Sequence, residues 1–346
     1  MLHFKWMRNF EESSMRFIVY LVFSCFIFSC TTNEHPPIAF YYWKQQFSLE
    51  KIQKKLLKDL NSNKIYVKYF DVVLENMDKH AKPIALIDFK SLTNQEVVPC
   101  VYIQNNVFKF TENQKGLALK VSKLVNQISK RQSIRVKEIQ LDCDWTNTTQ
   151  SHYFHFLKEL KILQPTTIIS STIRLHQLKY PKDTGIPPVE KGVLMCYNMD
   201  DIDRFETPNS IISTDVLAQY VTENTKYDLP LDLALPVYQW GLVFRLGKLS
   251  LIANDITNKD VANSNFKKVT KNIYQVLNNH YLYGNYVCKG DLIRLEKSSP
   301  KVIKSAINIL NSSDLTFNQL ILYHISQEHL NQYNEAFFKQ INRTIP

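Results

Sequence analysis

Eight short, nearly continuous apolar runs, most of them separated by stretches of helical periodicity, constrain this chain more than any other feature. The runs are Ile38–Trp43, Lys64–Val72, Val97–Ile103, Val136–Asp142, Thr166–Ile173, Gly192–Tyr197, Leu231–Tyr238 and Leu320–His324. Strands that are apolar without alternation are buried on both faces, as parallel strands covered by helices are. Between them, Leu49, Ile52, Leu56, Leu57 and Leu60 make one helical stripe, and Leu117, Val121, Leu124, Val125 and Ile128 another. Helices are also expected over Thr149–Leu163 and Thr214–Tyr220, and over a stripe of Phe266, Val269, Ile273, Val276 and Leu277. Ser299-Pro300 reads as an N-cap with proline at the first helical position, opening a helix to Leu310, and a last helix reaches about Ile341. Ile84–Phe89 could add a strand, and Arg174–Glu190, with its prolines, reads mostly as loop. Strand and helix in this alternation predict a single-domain α/β fold, a (β/α)8 TIM-type barrel over 38–346. A doubly wound open sheet is the rival architecture.

Composition narrows the chemistry. Only 7 glycines occur and none precedes Gly116, so a GxGxxG dinucleotide turn is absent, and Gly241 to Gly247-Lys248 has one residue too many for a P-loop. There is no GxSxG, and Ser170-Ser171 lies inside a strand. The net charge of +10 is spread along the chain without a basic run or a nucleic-acid-binding module, so no nucleic acid is expected as a partner. No histidine pair has HxxxH or HExxH spacing, His152 and His155 read as surface or packing residues, and neither metal nor cofactor is expected. Of the 6 cysteines, Cys100, Cys143, Cys196 and Cys288 show no zinc spacing and read as free thiols.

Residues Phe17–Phe28 form an uncharged apolar run of 12 residues behind Arg16, too short to span about 30 Å of hydrocarbon. A charged start, a short apolar core and a small residue before a break read as a signal peptide. Its I-F-S-C ending resembles the lipobox of bacterial lipoproteins, in which the cysteine is acylated. The resemblance implies a signal peptide with an N-terminal extension over 1–29, lipidation of Cys30, and a tether over 30–37 ending in Pro36-Pro37; Val22–Cys25 is a weaker second match. The start could be Met1 or Met15. Thr32, rather than aspartate, follows the cysteine region, which favours the outer membrane, with either face open. The membrane partner is then reached through acyl chains.

The fourth run carries the most chemistry. In Ile139-Gln140-Leu141-Asp142-Cys143-Asp144-Trp145-Thr146, strand alternation puts Gln140, Asp142 and Asp144 on one face and Cys143 on the other. Two carboxylates spaced i, i+2 stand about 6.6 Å apart at Cα, and their repulsion raises one pKa. In a barrel these residues lie at the carboxyl ends of the strands, where active sites form.

This segment resembles the fourth-strand DxxDxDxE motif of chitinase-like glycoside hydrolases of family 18. Met195-Cys196-Tyr197-Asn198 resembles their MxYD, and Leu235-Pro236-Val237-Tyr238 their LPxY, in the same order. Asp142 and Asp144 match the last two aspartates of the motif; the resemblance implies that its middle carboxylate helps orient a substrate N-acetyl group and that Tyr197 assists, making Asp142, Asp144 and Tyr197 the catalytic candidates. Ile139 replaces the first aspartate, Asn198 the aspartate of MxYD, and Thr146 the glutamate that serves as general acid. An active enzyme would need Asp144 or another carboxylate as acid; relatives lacking the glutamate bind without hydrolysing. Nearly the whole of 38–346, including FYYW, KIYVKYFDV, STIRLHQLKY and LDLALPVYQWGLVFR, is also similar to a family of uncharacterised bacterial lipoproteins. Around the same rim, Trp43, Asp71, Trp145, Arg174, His176, Gln177, Asn198, Tyr238 and Trp240 are candidate substrate-binding residues, with Tyr42 beside Trp43. Aromatic faces stack on sugar rings, and carboxylates, arginine and amides bind hydroxyls. The function expected is a lipid-anchored envelope protein that binds a carbohydrate at the barrel rim, either as a divergent glycoside hydrolase or without catalysis. A structural or assembly role in the envelope is the alternative.

Overall fold

The computed structural model describes residues 36–75, 80–254, 256–326 and 332–346. The signal peptide, Cys25, Cys30 and both candidate start methionines lie outside the described residues.

Eight parallel strands close into a barrel in chain order: β1 (Ala39–Tyr42), β2 (Lys64–Leu74), β3 (Glu96–Ile103), β4 (Glu138–Asp142), β5 (Ile168–Ile173), β6 (Lys191–Met195), β7 (Leu231–Pro236) and β8 (Phe317–Tyr323). Closure comes from β1, which pairs with β2 through Phe40 and Ile65 and with β8 through Ala39 and Ile321. The doubly wound alternative has no such closing pair. Helices α1 (Lys51–Asp59), α2 (Gln114–Arg131), α3 (Gln150–Leu163), α4 (Leu175–Lys179), α5 (Thr214–Tyr220), α6 (Pro300–Asn311) and α7 (Glu335–Thr344) occupy the crossovers and the carboxyl terminus. Ser299 caps α6 as expected, its Oγ accepting from the Val302 N–H.

The two faces of each strand have different tasks. Outward residues such as Phe40, Val67, Leu141, Leu194 and Leu322 join the large core under the helices. Inward residues Ala39, Tyr41, Tyr66, Val98, Cys100, Val193, Met195, Tyr197, Ala234 and Ile321 fill the barrel. Small and large side chains alternate there, which lets a closed barrel pack without a pore. The inward face of β4 descends from Asp142 at the mouth through Gln140 to Glu138 at the floor. At the floor Glu138 lies 3.1 Å from Lys191 Nζ and 3.4 Å from Lys64 Nζ, and Ser170 Oγ donates to it at 2.7 Å. Lys191 also pairs with Asp232 at 2.6 Å. These four charges balance, so the barrel can bury them together.

Between β7 and α6 the chain inserts a five-stranded antiparallel sheet. Its strands, in spatial order, are Lys248–Asn254, Gln239–Arg245, Leu292–Lys297, Ile273–Val276 and Phe266–Lys268. A hairpin of His280–Leu282 with Asn285–Val287 lies beside it. This corrects the helix expected over Phe266–Leu277. Tyr274 and Val276 alternate into the insertion's own apolar core, whereas Val269 is 53% exposed in the turn. Period two, set by aromatic and β-branched residues, wins over the accidental helical spacing. The Arg174–Glu190 segment is also more ordered than expected, holding α4 and a short helix Pro181–Thr184. Cys100, Cys143 and Cys196 are buried free thiols, and Cys288 is a partly exposed one.

Candidate functional site

The carboxyl ends of the strands bring the residues expected at the rim to one end of the barrel. Inward alternation places Tyr41 and Trp43 at the end of β1, Tyr197 after β6 and Tyr323 at the end of β8. Their rings meet: Tyr197 stacks on Tyr323 at 4.7 Å, Trp43 lies 5.8 Å from Tyr323, and Tyr238 stands edge-on to Tyr323 at 5.6 Å. Trp240, on the first insertion strand, extends the row 5.3 Å beyond Tyr238. Trp43 and Trp240 remain half-buried, with ring surface open to solvent. The Trp240 indole N–H donates to Glu296 at 2.9 Å, which fixes its orientation.

Polar groups border this row. Asp142 is 6% exposed and accepts from Thr172 Oγ at 2.8 Å. Burial pushes its carboxyl up to about 6, helped by the neighbouring Asp144 and Asp71 and opposed by the Arg174 cation and the Thr172 hydrogen bond. Asp144 faces the same way but is gripped through both oxygens by Arg174, whose Nη2 lies 3.1 Å from Oδ2. Tyr238 donates its hydroxyl to Asn198 Oδ1. Asn198 sits at φ 51°, a left-handed conformation that asparagine tolerates and that turns the chain sharply after β6. Lys68 bridges Asp71 at 3.0 Å and lies 5.8 Å from the Trp43 ring centre, an arrangement that steadies that ring. Burial also drives the Tyr197 hydroxyl well above its usual range, so it is a neutral donor.

The mouth is shallow. A cavity of about 80 Å³ opens among Arg174, His176, Tyr197 and Asn198. That is below the volume range of small-molecule sites, so a ligand at this end would lie across the aromatic row.

The architecture matches known proteins. The chain aligns with the spore cortex-lytic enzyme SleL of Bacillus cereus at a TM-score of 0.54 and 12% identity, covering 91% of this chain and 75% of that one. It aligns with a chitinase from Chromobacterium violaceum at a TM-score of 0.52 and 9% identity, covering 89% and 99%. The fold is a chitinase-like barrel. No protein-family model matches the chain, and no curated protein sequence does.

Within this chitinase-like barrel, several residues stand differently from expectation. Trp145 is fully buried against Tyr153, and its indole N–H donates to the Thr184 carbonyl at 2.7 Å, so its ring packs beneath α3 and away from the mouth. Gln177 is likewise buried, accepting from the Arg174 N–H at 2.8 Å and donating to the Trp145 carbonyl at 3.0 Å. It braces the loop that carries Arg174. Tyr42 points outward and donates to the Gln46 carbonyl at 2.6 Å. His176 is exposed at the rim, with its imidazole lowered by desolvation and by the Arg174 cation. Thr146 is exposed in the turn that opens α3, its N–H bonded to Thr149 Oγ at 3.0 Å. Tyr41, Thr172 and Tyr323 belong to the mouth and were not singled out from sequence. Strand parity finds Tyr41, which shares the inward face with Trp43, whereas no candidate on β8 pointed to Tyr323.

Proposed function

We propose that this protein is a lipid-anchored envelope protein that binds a glycan across the barrel mouth without cleaving it. The observation that carries this reading is the mouth itself. Half-buried Trp43, Tyr323 and Trp240, bridged by the buried Tyr238, are flanked by Arg174, Asn198 and Asp142, and the more exposed of the two strand-end carboxylates, Asp144, is ion-paired. Both oxygens of Asp144 are held by Arg174, and Thr146 stands where the resemblance calls for a glutamate. The fold-level likeness to a chitinase and a spore cortex-lytic enzyme makes N-acetylglucosamine polymers the first glycans to test. In calorimetric titrations with chitooligosaccharides, Trp43→Ala should weaken binding about tenfold, near 1.4 kcal/mol. Unchanged affinity would remove Trp43 from the site.

A hydrolase is the second reading, and one observation favours it. The Asp142 carboxyl, raised to about 6, is poised to exchange a proton near neutrality. Its depth behind the aromatic row counts against contact with a leaving group.

The anchor rests on the apolar run Phe17–Phe28 and the cysteine after it. Radiolabelled palmitate should enter the wild type and not Cys30→Ala. Label retained in Cys30→Ala and lost in Cys25→Ala would move the site, and an unlabelled wild type would reject the anchor.

A further inference from the structure

The insertion sheet holds a larger concavity than the mouth, a groove of about 450 Å³ between the sheet, the loop before α5 and the start of α6. That volume lies in the range of small-molecule sites. Register places this groove apart from the aromatic row. Trp240 pairs with Glu296, and the adjacent Gln239 pairs with Lys297. Successive residues of a strand face opposite ways, so Gln239 turns its side chain to the face away from the one Trp240 presents to the mouth.

Gln239 is the telling residue. It is 7% exposed and lines the groove, yet no side chain or backbone group among the described residues hydrogen-bonds its amide. The amide atoms are not enclosed but open onto the groove, so its two donors and carbonyl are available to whatever fills it. Two cations share the space. Lys271 and Lys297 are exposed there, and among the described residues neither has a carboxylate within ion-pair distance. Among the described residues the lining holds one carboxylate, Glu296, already engaged by Arg294, Ser210 and Trp240. Asn258 offers a further exposed amide, and Ile256 and Leu295 give an apolar wall.

Amides for hydroxyls, an apolar wall for a ring face and two unpaired ammonium groups for an anion define one ligand class. We propose that this groove is a second binding site, for an acidic saccharide: a sugar bearing a carboxylate or phosphate group. The proposal is independent of glycan binding at the mouth.

The test is a set of NMR titrations of the folded protein with glucuronate, glucose 6-phosphate, glucose and inorganic phosphate. At least one acidic sugar should bind saturably, about tenfold tighter than glucose, and which one distinguishes carboxylate from phosphate. The double variant Lys271→Gln, Lys297→Gln alters two exposed side chains and should remain folded; it should lose that preference. Gln239→Ala should weaken the acidic sugar and glucose alike. Equal affinity for glucose and its acidic derivatives would overturn the proposal. So would inorganic phosphate binding as tightly as glucose 6-phosphate, an unaltered preference in the double lysine variant, or no saturable binding of any probe.

Discussion

Replacing Asp142 by asparagine should make the protein more stable at pH 7, by about 3 kcal/mol. The folded protein raises this carboxyl from 3.8 to about 6, chiefly because burial disfavours the charged form. A raised carboxylate pKa means that the native state holds the proton more tightly than the unfolded chain. The associated stability is therefore present in full below about pH 4 and is lost as pH rises through about 6. A shift of this size corresponds to about 3 kcal/mol. Asparagine cannot ionise, and it keeps an oxygen to accept from Thr172. Denaturant unfolding at pH 4 and pH 7 reads the effect: the variant should match the wild type at pH 4 and exceed it at pH 7. A variant less stable than the wild type at pH 7 would make Asp142 a structural carboxylate. A side chain that weakens its own fold at neutral pH is what a ligand-binding or proton-handling site retains.

Glu138, on the same strand about 13 Å below, should behave in the opposite way. Its carboxylate is 1% exposed and lies between Lys64 and Lys191 at the barrel floor. Glu138→Gln leaves the half-buried Lys64 and Lys191 with Asp232 as their one fully buried counter-charge. Breaking a buried pair from one side typically costs about 3–5 kcal/mol. The melting temperature should fall accordingly, while glycan affinity at the mouth of any protein that remains folded stays the same. An unchanged melting temperature would mean that water reaches the floor and screens the cluster.

The same alternation explains how far the sequence could be read. Strands buried on both faces announce themselves as unbroken apolar runs, so all eight barrel strands were legible to within a few residues. Parity along Ile139–Thr146 correctly placed Gln140, Asp142 and Asp144 inward and Cys143 outward. Applied one step further, it also assigns Trp145 outward with Cys143, where the structure has it; the tryptophan was read by its chemistry and not by its phase. Gln177 was misread because a polar side chain beside Arg174 looks like a ligand contact, and only the local helix geometry shows it bracing the backbone. The insertion sheet was hidden because Phe266, Val269, Ile273, Val276 and Leu277 fit a helical template as well as they fit two short strands. The grip of Arg174 on Asp144 joins residues thirty positions apart, and the pairing of β4 with β5 brings their strand ends together.

Binding without turnover is tested most directly by one time-resolved titration of the wild type. Chitooligosaccharides of increasing length are added to the protein, heat is recorded, and the same samples are analysed for new reducing ends over a day. Saturable heat, growing with chain length and accompanied by no new reducing ends, is the expected result. Reducing ends that accumulate with the wild type and cease in Asp142→Asn would contradict it and make the barrel a hydrolase.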